Sequence, residues 1–192
     1  EDFYVATSEA NLNKAAYDSY IKAFRWATDR IDSQNGGVIG FITNGSWLDS
    51  NGLDGFRKCI EKEFSKIYVF NLRGNQRTSG ELSRKEGGKI FGSGSRTPVS
   101  ITILVKQPAG KEAVQEKAIV KYYDIGDYLT REDKLRIIKE TESITHLQME
   151  VLHPNEHGDW INQRNAAFGK WTPIEPEKKF DEKSKSWFVT NA

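Results

Sequence analysis

Between Arg73 and Pro98 the chain combines cations, glycines and a lack of periodicity, which together suit phosphate recognition. Six basic residues, Arg73, Arg77, Arg84, Lys85, Lys89 and Arg96, stand against only Glu81 and Glu86, with six glycines spread among them. Lys and Arg contacts to phosphates supply the salt-dependent, sequence-independent part of DNA affinity, and glycines let a loop fit the backbone. A solvated surface loop would carry the same composition, so charge alone leaves both readings open. Phe91 stands in this polar stretch just ahead of a strand-like run. Its ring either stacks on an unpaired base, as in enzymes that extrude bases from duplex DNA, or anchors the loop in the core. On the residue's own evidence the anchor is the better reading.

Other motifs fail on inspection. Gly87-Gly88-Lys89 and Gly92-Ser93-Gly94 invite a phosphate-loop reading, but Ser83 and Ile90 occupy the positions where a Walker loop needs Gly and Ser or Thr. His153, Glu156 and His157 have the spacing of an inverted zinc-peptidase motif. Pro154 and Gly158 disfavour the helix that would put both imidazoles on one face. Tyr17, Tyr20 and Phe24 form an aromatic stripe at helical spacing, which reads as a core face before it reads as a cofactor wall. The five tryptophans, Trp26, Trp47, Trp160, Trp171 and Trp187, share no pattern.

The elements that would position these residues alternate. Tyr17, Tyr20, Ile21, Phe24, Ala27 and Ile31 mark an amphipathic helix, and Val38 to Thr43 is an apolar run too short for a helix, as in a strand covered on both faces. Leu53, Phe56, Ile60 and Phe64 mark a second helix, and Lys66 to Leu72 a second buried strand. This alternation predicts an α/β layered sheet with right-handed crossovers. Arg73 to Pro98 reads as one long loop, which a compact domain seldom keeps without a use. Val99 to Val105 alternates apolar and hydroxyl residues and predicts a third strand, partly exposed on one face. Ala118 to Asp124 is expected to pair with it as an antiparallel hairpin at the sheet edge, across the polar loop Gln107 to Lys117. Thr130, ahead of Leu135, Ile137 and Ile138, predicts a capped helix. Residues from about His153 onward read as a linker.

Composition sets wider limits. The 192 residues suffice for one domain, and a net charge of +1 means that any attraction to nucleic acid must be local. A single cysteine, Cys59, excludes a disulfide framework and a multi-cysteine zinc site; it fits a reducing cytoplasm and reads as a core residue. No apolar run approaches the ~20 residues of a membrane span, so the expectation is a soluble protein. The chain opens on Glu1 and Asp2 and not on methionine, which suggests an excised segment.

Three stretches then carry a resemblance: Tyr17-Asp18-Ser19-Tyr20-Ile21-Lys22-Ala23-Phe24-Arg25-Trp26-Ala27, Gly37-Val38-Ile39-Gly40-Phe41-Ile42-Thr43-Asn44, and Ile67-Tyr68-Val69-Phe70-Asn71-Leu72-Arg73-Gly74-Asn75. It continues through Gly87 to Arg96 into the strand ending at Lys106, and more weakly through Tyr123 to Leu129. The chain resembles the adenine-specific DNA methyltransferase region of single-polypeptide, helicase-carrying restriction-modification enzymes, often called type ISP. The resemblance implies a partial Rossmann-like methyltransferase sheet, with residues 1–128 as the C-terminal half of the catalytic domain and 129–192 as a helix and linker towards a target-recognition region. It implies S-adenosylmethionine as cofactor, approached by Tyr17, Ser19 and Tyr20, and double-stranded DNA as partner in a prokaryotic cytoplasm. Phe91 would stack on the flipped adenine, and the rest of a parent polypeptide would be a second partner. The glycine-containing cofactor motif and the Asn-Pro-Pro-Tyr-type loop are absent, and no Pro-Pro-aromatic follows Asn44, so this chain alone is expected to be inactive. The alternative is a non-catalytic nucleic-acid-binding or protein-interaction module on the same scaffold.

Overall fold

Three strands whose carboxyl ends point the same way organise the molecule. In the computed structural model, which describes residues 2–10, 14–92, 94–108, 110 and 116–164, these are β1 (Gly37–Asn44), β2 (Lys66–Arg73) and β4 (Ile119–Asp124). Strands β3 (Val99–Lys106) and β5 (Glu150–Leu152) run against them, and the sheet order is β1-β3-β2-β4-β5. Helices α1 (Asp2–Ala6), α2 (Ser19–Thr28), α3 (Asp54–Glu63), α4 (Gly80–Glu86) and α5 (Arg131–Thr141) complete the elements. The chain divides into a unit of Glu1–Asn162 and a second of Gln163–Ala192. Only Gln163 and Arg164 of the second are described, so most of the expected linker, with Trp171 and Trp187, lies outside the described residues.

The mixed α/β sheet matches the expected fold class, but its pairing corrects the expected hairpin. Strand β3 does not pair with Ala118–Asp124; it lies between β1 and β2, antiparallel to both, and β4 pairs in parallel with β2. The connection from β3 to β4 therefore steps over β2 at its amino end. Both edge pairs are antiparallel, β1 with β3 and β4 with β5, the last a partner too short to read from sequence. Strand β3 is partly exposed on one face, as expected, but the apolar residues and not the hydroxyls lie on that face. Ser100 and Thr102 are fully buried, whereas Ile101 and Ile103 are half-exposed. Burial across the sheet sets this inversion: α2 and α3 cover the face that carries the hydroxyls, and α5 covers only part of the other.

The first core lies between the sheet and helices α2 and α3. Ile21, Phe24, Phe56 and Ile60 meet Ile39, Ile67, Val69 and Leu104 there, and Cys59 is buried among them as expected. Of the aromatic stripe, Phe24 is fully buried, Tyr20 half-buried and Tyr17 exposed. Sequence reasoning missed two members of this core. Trp47 packs edge-on against Phe56 and against Trp160, with centroids 5.4 and 5.3 Å apart. The second core, on the opposite face, joins Phe70, Leu72, Ile90, Val99 and Ile125 to Ile137 and Ile138 of α5. Helix α5 starts as predicted: the Thr130 hydroxyl accepts from the Asp133 amide, and the Asp133 carboxylate returns the bond. Beyond α5 this face is open, leaving Val38 and Ile42 of the edge strand β1 exposed beside an apolar cavity of about 200 Å³.

One fully buried cation ties the first core together. Arg57 donates Nε to the Gly158 carbonyl at 2.6 Å and Nη1 to those of Trp47 and Ser50 at 2.7 and 2.8 Å, with the Asp159 carboxylate 3.7 Å from Nη2. It thereby holds the turn after β1 to the returning segment around Trp160. Replacing Arg57 by Met removes the side-chain donor from the buried Trp47 and Gly158 carbonyls and leaves the segments it joins untied, so unfolding free energy should fall by about 3 kcal/mol. Urea titration followed by tryptophan fluorescence measures this, and an unchanged midpoint would refute the role assigned to Arg57.

Candidate nucleic-acid interface

Because β1, β2 and β4 are parallel, the segments that leave them emerge at one end of the sheet: 45–53, 74–98 and 125–130. Helix α2 runs into β1 from that same end, and the turn Lys14–Tyr17 ahead of it packs beside the turn Asn51–Leu53. Ligands of open α/β sheets bind in the crevice outside the carboxyl ends of the strands. The topology thus brings Tyr17, Ser19, Tyr20, Phe91 and the basic segment to one end of the molecule. They occupy two sides of it, since α2 packs into the first core and Ile90 into the second.

Between these sides lies a polar row that sequence reasoning missed. In register across the sheet stand Thr43, Ser100, Asn71 and Asp124. The Asn71 amide nitrogen donates to the Tyr122 hydroxyl at 2.9 Å, and its oxygen accepts from the Arg73 amide at 3.0 Å. Tyr122 in turn donates to Asp124 at 3.0 Å, and burial raises the phenol pKa. Above Asn71 is a small polar cavity of about 60 Å³, lined among others by Ser46, Asp49, Asn75 and Glu86. Its signal was present in the sequence: β2 and β4 each carry a short polar residue near the carboxyl end, Asn71 and Asp124.

The six predicted phosphate contacts do not form one equivalent set. Arg73 adopts a positive φ of 55° and turns inward, donating Nε to Asp124 at 2.6 Å and Nη1 to Asp127. Two carboxylates thus neutralise it, and its contribution is to hold the β2 and β4 ends together. Arg84 is exposed and pairs with Glu81 on its own helix, and Lys85 lies 3.9 Å from Asp127. Arg96 is exposed and donates to the Gln76 carbonyl at 2.8 Å. Arg77 is exposed and Lys89 half-buried, and neither forms an ion pair among the described residues. Instead of one long loop, the segment contains α4, a seven-residue helix with no buried residue, whose apolar periodicity was accordingly too weak to read.

Ile90, not Phe91, is the anchor. Ile90 is 7% exposed in the second core, whereas the Phe91 ring is 51% exposed. Gly87 and Gly88 serve close backbone contact: a Cβ would lie 2.2 Å from the Leu129 carbonyl at the first and 2.4 Å from the Arg131 amide at the second. From the other side α5 donates into this loop. The Lys134 ammonium, fully buried, bonds the Glu86 and Gly88 carbonyls at 2.7 and 2.9 Å, and Arg131 Nε bonds that of Ile90 at 3.0 Å.

Tyr17 and Ser19 present an exposed ring and hydroxyl at the amino end of α2, and burial raises the pKa of the Tyr20 phenol. Residues 153–157 form a strand exit and turn, not a helix, and His157 Nδ1 lies 2.9 Å from Glu9. No group of residues suited to hold a metal occurs among the described residues. No described helix is long and apolar enough to cross a membrane.

Burial pulls the Lys134 pKa down to about 8 from an ordinary 10.5, opposed by the nearby Glu86 carboxylate. Between these values the unfolded chain binds more protons than the folded one, so this group makes stability rise with pH through that window. Its contribution is full above 10.5 and lost as pH falls through about 8. In Lys134→Met the rise should vanish. Denaturant midpoints of both proteins at pH 7.5 and pH 10 test it, and parallel pH profiles would contradict the assignment.

No protein-family model matches the sequence, and no curated protein matches it. Solved structures do. A nuclease-deletion mutant of the Type ISP restriction-modification enzyme LlaGI, in complex with a DNA substrate mimic, superposes with a TM-score of 0.82 at 50% identity over 92% of this chain. The ATP-dependent Type ISP enzyme LlaBIII bound to DNA gives 0.84 at 39% identity over 93%, and a DrdV–DNA complex 0.76 at 32% over 86%. The chain spans only 14%, 12% and 15% of those chains. It is therefore homologous to one segment of much longer Type ISP restriction-modification enzymes.

Proposed function

We propose that this chain is part of the methyltransferase domain of an S-adenosylmethionine-dependent DNA adenine methyltransferase in a restriction-modification system. The observation that carries the reading is the 50% identity to LlaGI over nearly the whole chain. The geometry supports it: a polar cavity at the strand ends, with an exposed aromatic ring and exposed cations on the segment that leaves β2 at the same end, suits a nucleic acid with one base turned out. In this reading Phe91 stacks on the extruded adenine, while Arg77, Arg84, Lys85, Lys89 and Arg96 face phosphates. Arg73 positions the strand ends. Tyr17 and Ser19, exposed beside the crevice, fit one wall of a cofactor pocket, with Tyr20 behind them. S-adenosylmethionine supplies the methyl group. Direct transfer to an exocyclic amine requires placement more than a strong base, and placement is what this end of the sheet provides. Further parts of the parent polypeptide complete the pocket and cover the open face around Val38 and Ile42.

Transfer of labelled methyl groups to adenine-containing duplex DNA tests the reading, with the full-length polypeptide active and this chain alone inactive. A full-length protein that binds neither cofactor nor DNA would sink it in favour of an interaction module. The cations make a second test. Arg77→Ala and Lys89→Ala should each flatten the slope of log affinity against log salt by about 0.9, the share of one phosphate contact. Arg73→Ala should lower stability and leave that slope nearly intact, and the opposite pattern would reverse their roles.

A further inference from the structure

We propose that Lys134, assisted by Arg131, is a positioning residue that sets where the exposed Phe91 ring stands at the carboxyl end of the sheet. The inference rests on the reading of Phe91 as a base-stacking ring. The segment from Glu86 to Phe91 belongs to no strand, and its last turn of helix ends at Glu86. Side chains therefore fix it alongside a few backbone bonds, among them the Gly74 amide on the Glu86 carbonyl at 3.1 Å. Lys134 Nζ holds the Glu86 and Gly88 carbonyls, Gln76 Nε2 holds that of Gly87 at 2.9 Å, and Arg131 Nε holds that of Ile90. The Gly88 amide is spoken for by the Leu129 carbonyl at 2.9 Å. The Ile90 carbonyl is the last of these fixed points, and Phe91 leaves directly from it into solvent.

Lys134 is an expensive choice for packing alone. Lysine is almost never fully buried, and an apolar side chain would fill the same space without desolvating a charge. What an apolar residue cannot do is bind two carbonyls two residues apart and thereby fix the path between them. Among the described residues the hydrogen bonds of this ammonium go to that loop, and no carboxylate forms an ion pair with it. Gly87 and Gly88 allow the loop backbone to come close enough to α5 for these bonds to form.

The test is a double-mutant cycle on DNA methylation by the full-length polypeptide, reading kcat and KM separately. Phe91→Ala should lower kcat/KM for DNA about tenfold, the effect of one base-stacking contact. Lys134→Met should cause a loss of about the same size when Phe91 is present and less than about twofold when it is already Ala, because coupled residues are not additive. A merely structural role would lower both backgrounds by the same factor, and that result overturns the proposal. If Lys134→Met does not fold, Arg131→Gln, whose side chain is half-exposed, carries the same cycle with the same two outcomes. Full methylation by Phe91→Ala would instead overturn the stacking reading on which the proposal stands, and is distinguishable because it needs no change at Lys134.

Discussion

Several carbonyl groups at the carboxyl end of this sheet lie outside any strand ladder, and two buried cations bind them. Backbone polar groups removed from water must be paired, and irregular segments cannot pair their own. Arg57 spans three carbonyls with its rigid fork, and Lys134 bridges two with a point charge. Burying each charge costs several kcal/mol, while each charge-assisted hydrogen bond returns about 1.5–3 kcal/mol. The balance is close to even, so neither cation is chiefly a source of stability. Each fixes position, Arg57 the turn after β1 and Lys134 the end of α4 and the loop after it, and Ser46, Asp49 and Glu86 from these parts line one polar cavity.

The same division explains which parts of the fold could be read from the residues. Helices α2 and α3 and strand β2 each carry a pattern set by local burial, and the kinds and order of these elements and of β1 agree with expectation, although β1, expected to be covered on both faces, leaves Val38 and Ile42 exposed. The place of β3 does not follow from its own pattern, because the alternation of Ser100 and Thr102 with Ile101 and Ile103 says that two faces differ but not which one is covered. Helix packing decides that, and it lies far away in sequence. Strand β5 has only three residues, and α4 has no buried face, so neither offered a period to detect. Trp47 and Trp160 meet across more than a hundred residues, a contact that no local pattern encodes.

At the candidate site the residue types were readable and their states were not. Six cations looked alike in sequence, yet Asp124 and Asp127 take Arg73 out of the set while Arg77 and Arg96 remain exposed. Those two carboxylates come from the end of β4 and the turn after it, brought alongside by the parallel pairing with β2 that the hairpin expectation missed. One error of topology thus hid both the Arg73 clamp and the Asn71–Tyr122–Asp124 network.

Ile90 and Phe91 show how adjacent apolar residues divide two tasks. A loop that carries a ring into solvent needs a fixed point immediately behind the ring, or the ring's position is averaged over the loop's freedom and the entropy must be lost on binding. Ile90 gives that point through burial, and Arg131 reinforces it through the Ile90 carbonyl. Fixing it in advance shifts the ordering cost from binding to folding, where the second core and the capped helix α5 already offset it. An exposed aromatic residue on a rigid base is therefore a different object from one on a mobile loop, although both have the same accessible area. By this reasoning, the exposure of Phe91 fits the proposed base-stacking role because the residues behind it are so fully tied down.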